Sequence, residues 1–206
     1  MARAAPRRPQ AKSSAAGPRV LLVSRKLPFV LSREPDGGGW RAEPPAEAET
    51  FNQTTQNLKV VKATRDCVWI GWPGPCDVEP SEQAELQALT LSNHKYLPIF
   101  LEPAREQQFY GGFCKTILWP LLHSSTPTTQ SMITQHPFEG DADADPWSVA
   151  GFGDDNVEAN SGAKLYQAYV AVNQTFKNAI RDAHEDGDVV WVHDYHFMLL
   201  PQMLRR

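Results

Sequence analysis

The hydrophobic positions of this chain form four short apolar runs that predict β-strands. The runs are RVLLVS at 19–24, DCVWIGWPG at 66–74, YLPIFL at 96–101 and VVWV at 189–192. Each is rich in β-branched, leucine or aromatic residues, and none alternates strictly with polar residues. This pattern is typical of strands that are buried on both faces of a parallel sheet. The run at 189–192 predicts a central strand.

Amphipathic stretches lie between these runs and predict helices. The clearest covers 161–187, and its apolar residues recur at spacings of three and four: Leu165, Tyr169, Val172, Phe176, Ala179 and Ala183. Ser161 is the expected N-cap of this helix, and Gly187 is its expected end. Another helix is predicted over 81–95 with Ser81 as its N-cap. Because strands alternate with helices, the pattern predicts an α/β fold on a parallel sheet.

Two further stretches have a weaker pattern. Residues 50–63 are compatible with either a helix or a strand. Residues 102–123 predict a helix, a break at Gly111 and Gly112, and a second short helix closed by Pro120.

Two segments show no hydrophobic period. Residues 1–18 are rich in Ala, Arg, Pro and Ser without an acid, and predict a disordered basic tail, with an organelle transit peptide as the alternative. Residues 124–160 are polar and rich in Gly, Asp and Thr, and predict a flexible surface insertion. The expected domain map is a tail at 1–18 and a single, partial domain at 19–206 that carries this insertion.

Composition and charge exclude several classes of protein. The chain has 206 residues and a net charge of −4, which argues against a nucleic-acid partner. No apolar stretch approaches the roughly 20 residues of a membrane span. The three cysteines show no metal-ligand spacing and predict reduced thiols, so a cytoplasmic location is expected.

Polar residues follow the run at 189–192, at the end of the strand where open α/β sheets bind ligands. Asp194 is the leading candidate, because a carboxylate can accept hydrogen bonds from adjacent sugar hydroxyls. The alternative is that Asp194 caps the following helix, and spacing alone does not separate the two roles. His193 and His196 are types of residue that bind metals, but no further ligands accompany them, so no metal site is predicted.

Six segments of the chain carry a resemblance to a known family, and their common order is a more specific signal than any single segment. They are VSRKLPF at 23–29, VWIGWPG at 68–74, LPIFL at 97–101, FYGGFCKTILWPLLH at 109–123, LYQAYVAVNQTFKNAI at 165–180 and VWVHDYHFMLLPQMLR at 190–205. Together they resemble the trehalose-6-phosphate synthases, glycosyltransferase family 20. The resemblance covers most of 19–206 apart from 124–160.

The resemblance implies a GT-B fold, in which two Rossmann-like domains enclose the active site. It implies transfer of glucose from UDP-glucose to glucose 6-phosphate with retention at the anomeric carbon, which gives trehalose 6-phosphate. No metal or cofactor is implied, since UDP-glucose is the donor substrate.

The resemblance also implies roles for individual residues, although no catalytic residue is assigned. Tyr110 and Trp119 match the aromatic residues of the family's acceptor pocket, and Asp194 matches the aspartate that binds the acceptor sugar. Lys26 takes the position of the arginine that contacts the acceptor phosphate, which keeps the charge but loses the bidentate fork. In the glycine-rich stretch 37–39, Gly38 and Gly39 loosely match the glycine pair that approaches the nucleotide sugar.

The DGGGW stretch at 36–40 is similar to the plant-type members that join a synthase-like domain to a phosphatase-like one. The resemblance further implies that 19–206 is an incomplete first GT-B domain without the domain that binds the UDP diphosphate. This polypeptide alone is therefore expected to be inactive. The alternative function is a non-catalytic regulatory or sugar-phosphate-sensing subunit that associates with other synthase or phosphatase subunits.

Overall fold

The computed structural model describes residues 17–34, 39–43, 53–123 and 162–205. The predictions of a basic tail at 1–18 and a flexible insertion at 124–160 fall outside these ranges, apart from residues 17 and 18. Ser161 and Gly38 also lie outside them.

The strands form one parallel sheet and one hairpin. In chain order they are β1 (Val20–Lys26), β2 (Val30–Arg33), β3 (Trp40–Glu43), β4 (Cys67–Trp72), β5 (Tyr96–Pro98) and β6 (Val189–Val192). The parallel sheet has the order β5-β4-β1-β6, while β2 and β3 pair in antiparallel fashion. Leu22 of β1 lies opposite Trp69 of β4 on one side and Trp191 of β6 on the other. The predicted α/β fold on a parallel sheet is confirmed.

Helical segments separate the successive strands of the parallel sheet. They are α1 (Gln53–Thr64), α2 (Pro80–His94), α3 (Pro103–Glu106), a π-helix (Gln107–Leu118), α4 (Trp119–Leu122), α5 (Gly162–Ala183), a 3-10 turn (Tyr195–Phe197) and α6 (Leu200–Leu204). The sequence left 50–63 open between a helix and a strand, and in the structure most of this range belongs to helix α1. No helix within the described ranges is long and apolar enough to cross a bilayer.

The sheet is covered on both faces, so the chain has two apolar cores. Leu21 and Val23 of β1 pack on one face against residues of the π-helix and α5. Val20 and Leu22 pack on the other face with Leu58 of α1 and residues of α2 and the hairpin. This two-sided burial explains why β1 is a continuous apolar run and not an alternating one.

The last strand differs from its prediction. Among the described strands β6 lies at an edge of the sheet and not at its centre. Val190 and Val192 pack in the core, whereas Val189 and Trp191 are 47% and 45% exposed. A run of four apolar residues is compatible with a strand packed on one face and with a strand packed on both. The run at 189–192 therefore did not reveal that β6 lies at an edge.

Two helix ends also differ from their predictions. Helix α2 begins at Pro80 with Glu79 at the N-cap position and without a side-chain cap, so Ser81 is not the N-cap. Proline suits the first turn of a helix because its missing N–H has no partner there. Pro120 lies in α4, which continues directly from the π-helix and extends to Leu122, so the predicted role of Pro120 in closing that helix was wrong.

The glycine pair does not break the helix. The π-helix runs through Gly111 and Gly112, and a Cβ on Gly112 would lie 2.5 Å from Leu165 Cδ2 of α5. The glycine at this position therefore allows two helices to approach closely, and the chain continues without interruption.

We expect Gly71→Ala to destabilise the fold. A Cβ on Gly71 of β4 would lie 2.8 Å from the backbone oxygen of Ser24 and 3.1 Å from Leu27 Cγ. Because a backbone atom cannot move aside cheaply, the free energy of unfolding should fall by about 1–3 kcal/mol. Gly39→Ala is the matched control, since its Cβ would meet nothing within 4 Å. Urea unfolding measures both variants, and equal midpoints would contradict the steric argument.

Candidate acceptor site

The carboxyl ends of β1 and β6 lie side by side and carry the polar residues that the sequence singled out. Val23 pairs with Val192, and the His193 N–H donates to the Val23 carbonyl at 2.8 Å. Residues 24–26 and 193–196 therefore share one edge of the parallel sheet. This is the edge where open α/β sheets bind ligands.

Asp194 stands at this edge in a strained conformation. Its φ of 73° and ψ of 167° fall in a region that is almost restricted to glycine. Its Oδ1 accepts a hydrogen bond from the Tyr195 N–H at 2.7 Å, and its Oδ2 lies 3.6 Å from His196 Nδ1. Oδ1 thus caps the 3-10 turn, which is the capping role that the sequence analysis gave as the alternative for Asp194. The side chain of Asp194 remains 39% exposed.

Tyr110 lies within a group of cations and rings. The Arg25 guanidinium carbon is 3.5 Å from the centroid of its ring, and Lys115 Nζ is 4.8 Å from it. The His196 ring follows at 5.6 Å between centroids. Tyr110 is therefore in direct contact with the segment that carries Asp194.

Trp119 approaches the same segment from the end of the π-helix. Its ring lies 3.6 Å from that of His123 and 5.8 Å from that of Tyr195, between centroids. Tyr195 in turn stacks on His196 at 4.3 Å. Tyr110, Trp119 and Asp194 are thus brought together through the Tyr195–His196 pair.

The helical winding explains how Tyr110 and Trp119 share one face. They are nine residues apart, which is 2.5 turns of an α-helix with about 3.6 residues per turn and would put them on opposite faces. In the π-helix the bonds span five residues, as from the Trp119 N–H to the Cys114 carbonyl. With roughly 4.4 residues per turn, nine residues are close to two full turns. The π-helix therefore aligns both rings with the sheet edge.

Arg25 was not anticipated from the sequence. Its Nη1 donates to Glu106 Oε1 at 3.0 Å, and its guanidinium carbon lies 5.8 Å from the Trp72 ring as well as over Tyr110. Its direction could not be read from the sequence, because the register of β1 against β4 shifts between Val23 and Lys26.

Lys26 lies beside the loop that follows β4. Its Cε is 3.8 Å from the position that a Cβ on Gly74 would occupy, in the loop between β4 and α2. The structure therefore places Lys26 beside that loop and Arg25 beside Tyr110. Gly39 lies in the β2–β3 connection, where its carbonyl accepts from the Glu34 N–H at 2.9 Å. The donor-loop role of Gly38 and Gly39 stays a prediction.

We call these residues the carboxyl-edge cluster: Arg25, Glu106, Tyr110, Trp119, Asp194, Tyr195 and His196. A cavity of about 650 Å³ opens beside the cluster, between the β4–α2 loop and the start of α3. Trp72 and Glu106, which contact Arg25, line this cavity. The cluster thus combines aromatic faces, a carboxylate and a cation next to an open space.

His196 is the buried histidine of the cluster. Burial lowers its pKa well below the usual 6.5, and the nearby charges of Arg25, His193 and Lys115 lower it further. Its Nδ1 has no hydrogen-bond partner among the described residues. The ring is therefore neutral near pH 7 and acts as a packing surface between Tyr110 and Tyr195.

We expect the backbone strain at Asp194 to make a glycine variant more stable than an alanine variant, which is the reverse of the order in a helix. Both Asp194→Gly and Asp194→Ala remove the cap, but only glycine relieves a conformation that costs about 1–3 kcal/mol. The glycine variant should therefore be more stable than the alanine variant by about 1 kcal/mol. At exposed Asn178 within α5 the order should be the opposite, because helices favour alanine. Thermal melts of the four variants test this, and an alanine variant as stable as the glycine variant at 194 would refute the strain.

We expect His196 to make stability depend on pH. Since the folded pKa is depressed, lowering the pH below about 6.5 protonates the histidine in the unfolded state first. The free energy of unfolding should then fall as the pH drops below 6.5, by at most about 1.4 kcal/mol per pH unit from this group. In His196→Phe the contribution of this histidine to the pH dependence of the free energy of unfolding should vanish. In the control His184→Gln, which changes an exposed histidine, that contribution should remain. Urea unfolding between pH 7.5 and 5 measures the slopes, and an unchanged slope in His196→Phe would contradict the assignment.

Comparison with known proteins identifies the family. The model of glycosyltransferase family 20 matches residues 18–142 and 147–206. A curated UDP-forming α,α-trehalose-phosphate synthase from Emericella nidulans is 31% identical over 198 residues, which cover 94% of this chain and 31% of that protein. A probable synthase of the same kind from Arabidopsis thaliana is 32% identical over 191 residues, which cover 91% of this chain and 19% of that protein. The chain thus spans a third or less of the length of these relatives.

Solved structures show the same fold. The N-terminal domain of the Candida albicans trehalose-6-phosphate phosphatase matches with a TM-score of 0.54 at 21% identity, over 97% of this chain and 33% of that chain. A trehalose-6-phosphate synthase matches with a TM-score of 0.51 at 17% identity, over 91% of this chain and 31% of that chain. The fold, the motifs and the family model agree, and the chain belongs to glycosyltransferase family 20.

Proposed function

We propose that this chain provides the acceptor-binding side of an enzyme that transfers glucose from UDP-glucose to glucose 6-phosphate, with retention at the anomeric carbon. The observation that carries the proposal is the convergence of Tyr110, Trp119 and Asp194 at the carboxyl edge of the sheet. Curated relatives of this chain are UDP-forming trehalose-phosphate synthases, which favours catalysis over a purely regulatory role.

The chemistry of the carboxyl-edge cluster suits a sugar. An aromatic ring packs well against the apolar face of a pyranose, and Trp119 is a half-buried ring at the edge of the cluster. The carboxylate of Asp194 is partly exposed and has Oδ2 left over after Oδ1 caps the 3-10 turn. Asp194 can therefore accept a hydrogen bond from a sugar hydroxyl without giving up its structural contact.

The proposal is confined to the acceptor, because the chain spans about a third of its relatives. Binding of UDP-glucose and association with further subunits stay predictions for the whole protein. One curated relative, from Saccharomyces cerevisiae, is described as a 56 kDa subunit, which supports looking for such partners. A cytoplasmic location stays a prediction, supported by the free thiols of Cys67, Cys76 and Cys114.

We expect the chain to bind glucose 6-phosphate and Asp194→Ala to weaken that binding. Loss of a charge-assisted hydrogen bond to the sugar should cost about 1.5–3 kcal/mol, or about ten- to a hundredfold in affinity. Asp182→Ala is the matched control, since it removes an exposed carboxylate at the far end of α5. Isothermal titration calorimetry measures the affinities, and a thermal melt confirms that each variant is folded.

Two results would contradict this proposal. If the folded wild-type chain shows no saturable binding of glucose 6-phosphate, the cluster is not an acceptor site. If Asp194→Ala binds as tightly as the wild type, Asp194 is a cap of the 3-10 turn only.

A further inference from the structure

We propose that Tyr169 positions the acceptor-binding residue Asp194, because its hydroxyl fixes the 3-10 turn that follows Asp194 and its ring fixes the π-helix. Tyr169 lies in α5 and reaches both halves of the carboxyl-edge cluster without being a member of it. The inference rests on the proposed function and names a residue that acts on the acceptor through another residue. Tyr169 is thus a positioning residue and not a ligand of the sugar.

The hydroxyl of Tyr169 bridges the two ends of the 3-10 turn. It donates to the Tyr195 carbonyl at 2.9 Å and accepts from the Met198 N–H at 3.0 Å. A turn of three residues leaves backbone groups without partners of its own, and this hydroxyl supplies two of them. Burial raises the pKa of Tyr169 to about 12, so the hydroxyl keeps the proton that it donates at neutral pH.

Asn173, one helical turn further along α5, supports the same 3-10 turn. Its side chain is fully buried, and its Nδ2 donates to the His196 carbonyl at 3.3 Å and to the Tyr169 carbonyl at 2.9 Å. Two consecutive carbonyls of the turn, those of Tyr195 and His196, therefore accept hydrogen bonds from side chains of one helix. These bonds tie the turn to α5.

The ring of Tyr169 packs on the π-helix. It lies 4.8 Å from the Phe113 ring and 5.8 Å from the Phe109 ring, between centroids. Phe109 directly precedes Tyr110, so these contacts fix the segment that carries the aromatic half of the cluster. One buried residue therefore sets the position of the Asp194 carboxylate relative to the aromatic rings.

The hydroxyl bridge also explains why Asp194 keeps its strained backbone. On one side of Asp194 the His193 N–H is bonded to the Val23 carbonyl at 2.8 Å, and on the other side the Tyr195 carbonyl is bonded to Tyr169. A residue with a φ of 73° persists only where its surroundings hold it. Without the Tyr169 hydroxyl we expect the turn to shift and Asp194 to relax into a conformation that does not present Oδ2 to the sugar.

The first experiment measures the affinity of the 206-residue chain for glucose 6-phosphate by calorimetric titration. Tyr169→Phe removes the hydroxyl and keeps the ring. It should weaken binding about fivefold, because the binding-competent turn is then only partly populated. Tyr166→Phe is the matched control, since Tyr166 is 47% exposed on the same helix and its ring also packs on Phe113. This control should bind as the wild type does.

Two double variants test whether Tyr169 acts through Asp194. In the Asp194→Ala background, Tyr169→Phe should weaken binding further by less than about twofold, because no carboxylate is left to position. The second measurement needs no ligand. Asp194→Gly should melt at a higher temperature than Asp194→Ala, and this difference should shrink by about half or more in the Tyr169→Phe background, where the turn no longer holds the strain.

Asn173→Ala tests the same turn if Tyr169→Phe does not fold. It removes the donor to the His196 carbonyl. It also removes a buried Oδ1 that has no hydrogen-bond partner among the described residues, which partly offsets the cost to stability. This variant should weaken glucose 6-phosphate binding about threefold, and it should likewise shrink the difference in melting temperature between the two Asp194 variants.

The outcomes separate this inference from the proposed function. If Asp194→Ala weakens binding while Tyr169→Phe and Asn173→Ala bind as the wild type does, the acceptor site stands and Tyr169 does not position it. If Tyr166→Phe weakens binding as much as Tyr169→Phe, the hydroxyl bridge is not the cause and the inference fails. An unchanged melting difference in the Tyr169→Phe background overturns the inference without any ligand. If the wild type binds no glucose 6-phosphate, the proposed function fails, and the role of Tyr169 fails with it.

Discussion

The geometry of the candidate site depends on the winding of one helix. Tyr110 and Trp119 reach the same edge of the sheet because the backbone between them follows π-helical bonding, such as that from the Trp119 N–H to the Cys114 carbonyl. The π-helix is rare, and π-helical turns are frequent at functional sites. Here it packs closely on α5, since Gly112 lets α5 approach and the Phe113 ring lies tilted against Tyr169 at 4.8 Å between centroids. Packing of this helix against α5 thus fixes the direction of both aromatic rings.

The charges of the carboxyl-edge cluster are arranged around the same helix. Glu106 at the end of α3 holds Arg25 of β1, and the π-helix that begins one residue later presents Tyr110 to the guanidinium. A buried pair of this kind is weak evidence for stability, because desolvation of both ions offsets their attraction. Its clearer effect is to fix a cation at a defined place. His196 stays neutral beside this cation, and its uncharged ring lets the aromatic residues pack without a second buried charge.

The parts of the fold that the sequence predicts well are those set by local periodicity. The spacing of Leu165, Tyr169, Val172 and Phe176 predicts α5, and all four are buried in the structure. The failures have non-local causes. Gly111 and Gly112 were predicted to break a helix, but Leu165, more than 50 residues away in sequence, shows that the second glycine provides space for packing.

The same distinction holds for the site. Asp194 is visible in the sequence because it follows a strand, and the structure brings Tyr110 and Trp119 into contact with its neighbours Tyr195 and His196. Arg25 was missed because its importance comes from Glu106, which is 81 residues away in sequence. Its two neighbours in space, Trp72 and Tyr110, also come from different elements. The resemblance in motif order directs attention to Lys26, whereas only the structure shows that Arg25 contacts Tyr110.

The two roles considered for Asp194 are compatible, because they use different atoms. Oδ1 caps the 3-10 turn and Oδ2 remains beside His196, partly exposed. A cap alone does not explain the backbone, since serine, threonine or asparagine caps helices without a positive φ. A backbone in a region almost restricted to glycine persists only where the surroundings hold it there. Here the parallel pairing of β6 with β1 ends at the His193 N–H, and the buried Phe197 fixes the 3-10 turn just after it. The chain must change direction within one residue between these two anchors, and the strained residue is the one whose carboxylate faces the open edge of the sheet.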